Sequence, residues 1–141
     1  LTLITRKNEW NSYRNFYKIP QCVEFIEADG DNLSEYYNNS DIALLCFNPD
    51  EYMQIALPQK LFEAIGYGKP IISFGNTAAS RFIKKNNIGW CKEYSEEYNF
   101  FNYLIENPDE IMQKTDNVLS IRTQHTWARR VKDVIKTIVK D

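Results

Sequence analysis

Lys60 and Glu63 stand three residues apart where a helix is expected to begin. A carboxylate accepts hydrogen bonds at both oxygens and so can hold the two hydroxyls of a cis-diol, as a ribose presents them. An ammonium three positions earlier lies on the same helical face. There it can meet a phosphate that the helix dipole and the free N–H groups of the first turn also favour. The same spacing equally describes an exposed i, i+3 ion pair, which on spacing alone is the plainer reading. Other groups offer less. Asp29 and Asp31 form an Asp-x-Asp pair that invites a divalent metal, but two carboxylates with no third ligand make a weak site and fit turn and cap roles, so no metal is expected. His125, the one histidine, is far in sequence from any Ser or Cys with a nucleophile context and is expected to be a surface or loop residue. Cys22, Cys46 and Cys91 have no short spacing, so reduced, buried thiols are expected rather than a zinc knuckle or a disulfide framework.

The stretch 56–73 positions the Lys60/Glu63 pair. It reads as a helix start, two turns of helix, a glycine stop and a buried strand over 70–74. The apolar run 41–47 before it is a strand covered on both faces, so the whole is a strand-loop-helix-strand unit of a parallel sheet. The loop 48–59 is longer than most such connections, and long loops in compact α/β domains are often functional.

Upstream, 1–5 and 23–26 read as strands, with a helix between them on which Trp10, Tyr13, Phe16 and Tyr17 follow helical period and are expected in the core. Asn32 with Glu35 fits a capping-box start for the next helix. Downstream come a helix over 77–85, a turn at Asn87-Ile88-Gly89, a fifth strand near 90–93 and three helices. Ser95 caps the first of these, Asn107-Pro108 opens the second, and Trp127, Val131, Val134, Ile135 and Ile138 stripe the last. Strands alternating with helices predict an α/β fold: a doubly wound, Rossmann-like parallel sheet of about five strands flanked by helices.

With 141 residues and 43% hydrophobic content, one domain with a real core is expected over 1–141. Seventeen basic against 19 acidic residues exclude the broad positive footprint of a nucleic-acid binder. The longest apolar runs are strand-sized, so neither a membrane span nor a signal peptide is expected. A chain opening directly on a core strand reads as a fragment.

The run Pro58-Gln59-Lys60-Leu61-Phe62-Glu63-Ala64, followed by Gly68-Lys69-Pro70-Ile71-Ile72, resembles the Pro-x-Lys-x-x-Glu and Gly-x-Pro signature of the donor half of retaining, GT-B-fold glycosyltransferases of family four (glycosyl transferases group 1). Further pieces fall in the family's order: Val23 to Asp29, Leu33 to Asp41, Asn87-Ile88-Gly89 and Thr126-Trp127. The resemblance implies the C-terminal, donor-binding domain of an enzyme that moves a sugar from a nucleoside-diphosphate sugar to a glycan or lipid-linked acceptor in surface polysaccharide synthesis. The N-terminal acceptor domain and the first strand of this domain would lie outside the sequence, so the fragment is expected to be inactive alone. By the resemblance Glu63 holds the ribose, while Lys60 and the backbone of Ala56, Leu57 and Pro58 lie by the diphosphate or sugar. The nucleobase then sits near Glu27 and Asp29, and no metal or cofactor is needed. Ile55 stands where many members carry a second Glu, and Arg6 follows a strand that is second in the family.

With the first strand missing from mid-sheet, either the remaining five close up or an edge stays open. The resemblance also implies a cytoplasmic enzyme, and the basic positions of the last helix leave peripheral contact with anionic lipid at the inner membrane face as an expectation, against a simply solvated face. A nucleotide-sugar epimerase of the same architecture and a non-catalytic partner-binding α/β module are the alternatives.

Overall fold

A computed structural model describes residues 1–94 and 97–138, and the chain forms two compact units, Leu1–Asn39 and Ser40–Asp141. The cap expected at Ser95 falls outside the described residues.

In the first unit, β1 (Thr2–Ile4) and β2 (Glu24–Ile26) run parallel, with Leu3 opposite Phe25. Between them come α1 (Lys7–Tyr13) and a 3-10 turn (Arg14–Phe16). Trp10 lies flat on Phe25, ring centroids 3.5 Å apart. The rest of the expected aromatic stripe is not core: α1 stops at Tyr13, so Phe16 and Tyr17 leave the face that helical spacing would have given them, and all three are exposed. A 3-10 turn (Gly30–Asn32) leads into α2 (Leu33–Asn38). The expected Asn32 cap does not form, because that residue is already helical (φ −70°, ψ −18°) and its N–H turns back to the Asp29 carbonyl at 3.1 Å.

The second unit holds β3 (Ala43–Leu45), β4 (Ile71–Phe74) and β5 (Gly89–Lys92), parallel and in that spatial order. Central β4 is buried along its whole length, as a strand covered on both faces must be. The parallel α/β architecture is therefore as expected, but its five strands fall into a pair and a triplet, not one sheet.

Helix α3 (Gln59–Gly66) buries Leu61, Ala64 and Ile65. It ends in a Schellman turn: the Gly68 N–H donates to Ile65 O and the Lys69 N–H to Ala64 O, at 3.0 and 2.9 Å. Gly68 takes the left-handed conformation this requires (φ +72°), and a Cβ there would also press on Leu119. Helix α4 (Ala78–Asn86) starts on Thr77, whose Oγ1 accepts from the Ser80 N–H, and ends on a left-handed Asn87.

α5 (Glu97–Glu106) and α6 (Pro108–Ile121) follow, with Phe100 and Leu104 packed against Ile72, Phe74 and Trp90. Pro108 opens α6 as expected, but the Asn107 amide donates to the Tyr103 carbonyl and does not cap. Glu110 braces this corner by accepting 2.6 Å hydrogen bonds from Tyr103 Oη and Trp90 Nε1. These bonds hold its carboxyl below the usual range, and the same carboxylate raises the Tyr103 hydroxyl.

The last helix is present as α7 (Trp127–Ile138). Its stripe of Trp127, Val131, Val134, Ile135 and Ile138 is 53–76% exposed, so the pattern marks an amphipathic face that the described residues leave uncovered. The cysteines differ from expectation in burial: Cys22 and Cys46 are exposed, and Cys91 is half-buried with its thiol pushed up by burial. Among the described residues no helix is long and apolar enough to cross a membrane.

Candidate functional site

Parallel sheets bind ligands where strands end and helices begin. In the second unit that place is the connection from Leu45 at the end of β3 to Gln59 at the start of α3. The loop is a built structure: Asp50 Oδ1 accepts from the Met53 N–H at 2.8 Å, and the Ala56 N–H donates to Tyr52 O at 2.9 Å. Pro58, extended at φ −69° and ψ 148°, then turns the chain into α3.

With Leu61, Ala64 and Ile65 sealed in the core, Lys60 and Glu63 fall together on the helix flank, as their spacing requires. Lys60 Nζ lies 3.0 Å from Glu63 Oε2, and Gln59 Nε2 donates to Oε1 at 2.8 Å. The Lys60 side chain is 58% exposed and that of Glu63 is 21% exposed. Oε2 itself is buried and accepts no well-aligned hydrogen bond, since the ammonium is close but poorly directed. Both the ion pair foreseen as the plain reading and a carboxylate with spare acceptor capacity are therefore present.

Of the backbone expected beside them, Ala56 already spends its N–H inside the loop, and the Leu61 N–H has turned to Pro58 O at 3.1 Å. The remaining first-turn donors are those of Gln59 and Lys60, which no helix satisfies internally. The first turn of α3 contains no acidic residue to oppose an anion. Leu57 and Ile55 are exposed, Ile55 at 81%.

Glu27 and Asp29 belong to the first unit. Glu27 Oε1 accepts from the Lys7 N–H at 3.0 Å and so caps α1, while the Asp29 carbonyl closes the turn before α2. Arg6 pairs with Glu9 at 3.8 Å on the surface. A groove of about 640 Å³ in that unit, lined by Leu3, Trp10, Tyr13, Tyr17, Val23 and Phe25, contains neither residue. Among the described residues no group of three or more His, Cys, Asp or Glu could hold a metal.

His125 is not a simple surface residue, being half-buried against the rings of Phe62 and Phe82 with centroids 5.9 and 5.2 Å away. Sequence reasoning missed Gln59, although its place four residues before Glu63 was a readable signal. It also missed Arg81, whose main partner, Gln54, lies 27 residues away and leaves no local trace.

No family model matches the chain. Over 126 residues, 89% of its length, the chain is 21% identical to the protein named "Putative teichuronic acid biosynthesis glycosyltransferase TuaH" of Bacillus subtilis (strain 168). The matched region spans 29% of that protein. The chain is thus a distant relative of a glycosyltransferase.

Proposed function

We propose that the chain carries the donor-binding site of a retaining, GT-B-type glycosyltransferase that transfers a sugar from a nucleoside-diphosphate sugar to a glycan or lipid-linked acceptor in surface polysaccharide synthesis. The observation that carries this reading is the flank of α3, where the Glu63 carboxylate, the Lys60 ammonium and the helix N-terminus share one edge of the loop at the end of β3. The distant relative named for teichuronic acid synthesis points to the same chemistry.

In this reading Glu63 accepts the two ribose hydroxyls once Gln59 and Lys60, both exposed, swing aside. Lys60 and the first-turn N–H groups then face the diphosphate. When the bond from the anomeric carbon to the phosphate oxygen breaks, its electron pair leaves with the nucleoside diphosphate. Positive charge held at that oxygen lowers the barrier without a metal. The acceptor hydroxyl forms the new bond to the same carbon and loses its proton. Acceptor groups come from a part of the enzyme outside this chain, so the chain alone binds donor without turnover.

A thermal-shift and NMR titration with UDP, GDP and their sugars tests this. Ligand at ten times its Kd is expected to stabilise the chain by about 1.4 kcal/mol. Glu63→Ala is expected to weaken binding about ten- to a hundredfold, the worth of hydrogen bonds to a charged acceptor. Indifference of the wild-type chain to all these nucleotides at millimolar concentration removes the assignment.

A further inference from the structure

A loop that presents a diphosphate site has to be held still, since a displacement of a fraction of an ångström changes every hydrogen bond it offers. The loop 48–58 is tied to the start of α4, not only to its own ends. The Ala78 N–H donates to Met53 O at 2.8 Å, and Gln54 Nε2 donates to Asn76 O at 2.6 Å. Arg81 spreads its guanidinium over the same residue: Nη2 donates to Gln54 O, and Nη1 donates to Gln54 Oε1 at 3.1 Å and to Asn76 Oδ1 at 3.4 Å. One side chain thereby fixes both the backbone and the amide of Gln54, five residues before α3 begins.

The anchor on the far side is rigid. Ser80 Oγ donates to Gly75 O at 2.6 Å and lies within 3.0 Å of both Ser73 Oγ and Thr77 Oγ1, all in buried surroundings. Gly75 is left-handed (φ +72°), and Pro49 sits 3.4 Å from where its Cβ would be, so the two loops also meet near the start of 48–58. A buried hydroxyl knot therefore holds one end of the strut and Arg81 carries that order into the loop.

We infer that Arg81 is a positioning residue for the diphosphate end of the site: through Gln54 it sets the path of 48–58, and hence where Leu57, Pro58 and the first turn of α3 stand. This rests on the donor-site reading above. Arg81 acts on the loop and is not placed on the ligand.

The test uses the full chain, UDP or GDP according to which the wild type binds, and the matching free nucleoside. A structural prop would weaken both ligands together, whereas a residue that places the diphosphate subsite changes their ratio. Arg81→Ala is expected to lower nucleoside diphosphate affinity about tenfold, the scale of a lost charge-assisted hydrogen-bonded pair, while nucleoside affinity stays within about twofold. Gln54→Ala, which leaves the backbone contact in place, is expected to act in the same direction by about threefold. Arg81→Lys, which keeps the charge but not the fork, recovers only part of the loss. Wild-type binding with an unchanged diphosphate-to-nucleoside ratio in Arg81→Ala and Gln54→Ala overturns the inference alone. No nucleotide binding by the wild type overturns the donor reading and this inference with it.

Discussion

Both units of this chain contain two parallel strands separated by a helix, yet they are stabilised very differently. In the first unit the paired strands are three residues long and no described residue is fully buried. Its aromatic and aliphatic side chains Leu1, Leu3, Tyr13, Phe16 and Tyr17 are exposed, and Trp10 stacked on Phe25 is its main contact. In the second unit, β4 alone supplies four buried residues, and Leu61, Ile65, Ile83, Ile88 and Val118 are sealed completely or nearly so. The lesson is one of layers. A strand pair with a single covering helix has too little to bury, whereas a third strand and a second helical layer give the middle strand two covered faces.

Ile72 and Leu3 give this contrast its sharpest form. Ile72→Ala empties a fully buried position and is expected to cost about 2–5 kcal/mol in denaturant unfolding, against less than about 1 kcal/mol for Leu3→Ala on exposed β1. Equal costs would break the contrast and give the first unit a core of its own.

A smaller effect concerns how the second unit is braced. Glu110 has its pKa lowered first by the Tyr103 hydrogen bond and then by that of Trp90. A depressed carboxyl contributes stability that is present above its unfolded value and lost as pH falls through its folded value. Glu110→Gln is therefore expected to flatten the acid limb of a stability-versus-pH curve, on the acid side of the usual carboxylate range, with little change near neutrality beyond a constant offset. An unchanged acid slope would mean the brace is not electrostatic.

The smallest effect is expected on α7, the part of the second unit that resembles the first. Ile135→Ser changes an exposed apolar position and should move stability by no more than about 0.5 kcal/mol. A much larger loss would mean that this face is covered in solution. Co-sedimentation of the same variant and wild type with anionic vesicles checks the lipid contact anticipated for this helix.

What was legible in the sequence is what local chemistry decides. The start of α3, the glycine stop at its end and the largely apolar stretch of β4 are each decided over a few residues, and each stands where read. Helical period was a poorer guide to burial. The spacing of Tyr13, Phe16 and Tyr17, like that of the α7 stripe, says which residues share a face but not whether anything covers it. Asn32 was misread because the preceding 3-10 turn had already placed it in helical conformation. The Lys60/Glu63 pair was visible from its spacing. Arg81 on Gln54 and Trp90 on Glu110 join residues far apart in sequence, and no pattern announces such contacts.

The closure of Glu63 by its own helix has a consequence for selectivity. Its two oxygens are already occupied in part, one by the Gln59 amide and the other by the Lys60 ammonium, so any newcomer has to offer replacements for both. A free sugar brings hydroxyls for the carboxylate but leaves the displaced ammonium without a counter-charge, and inorganic phosphate does the reverse. On the donor-site reading proposed above, a molecule carrying both a diol and an anion at the right separation would satisfy the two together. Under that proposal the three neighbouring side chains would work as a logical AND that ignores each half of its ligand.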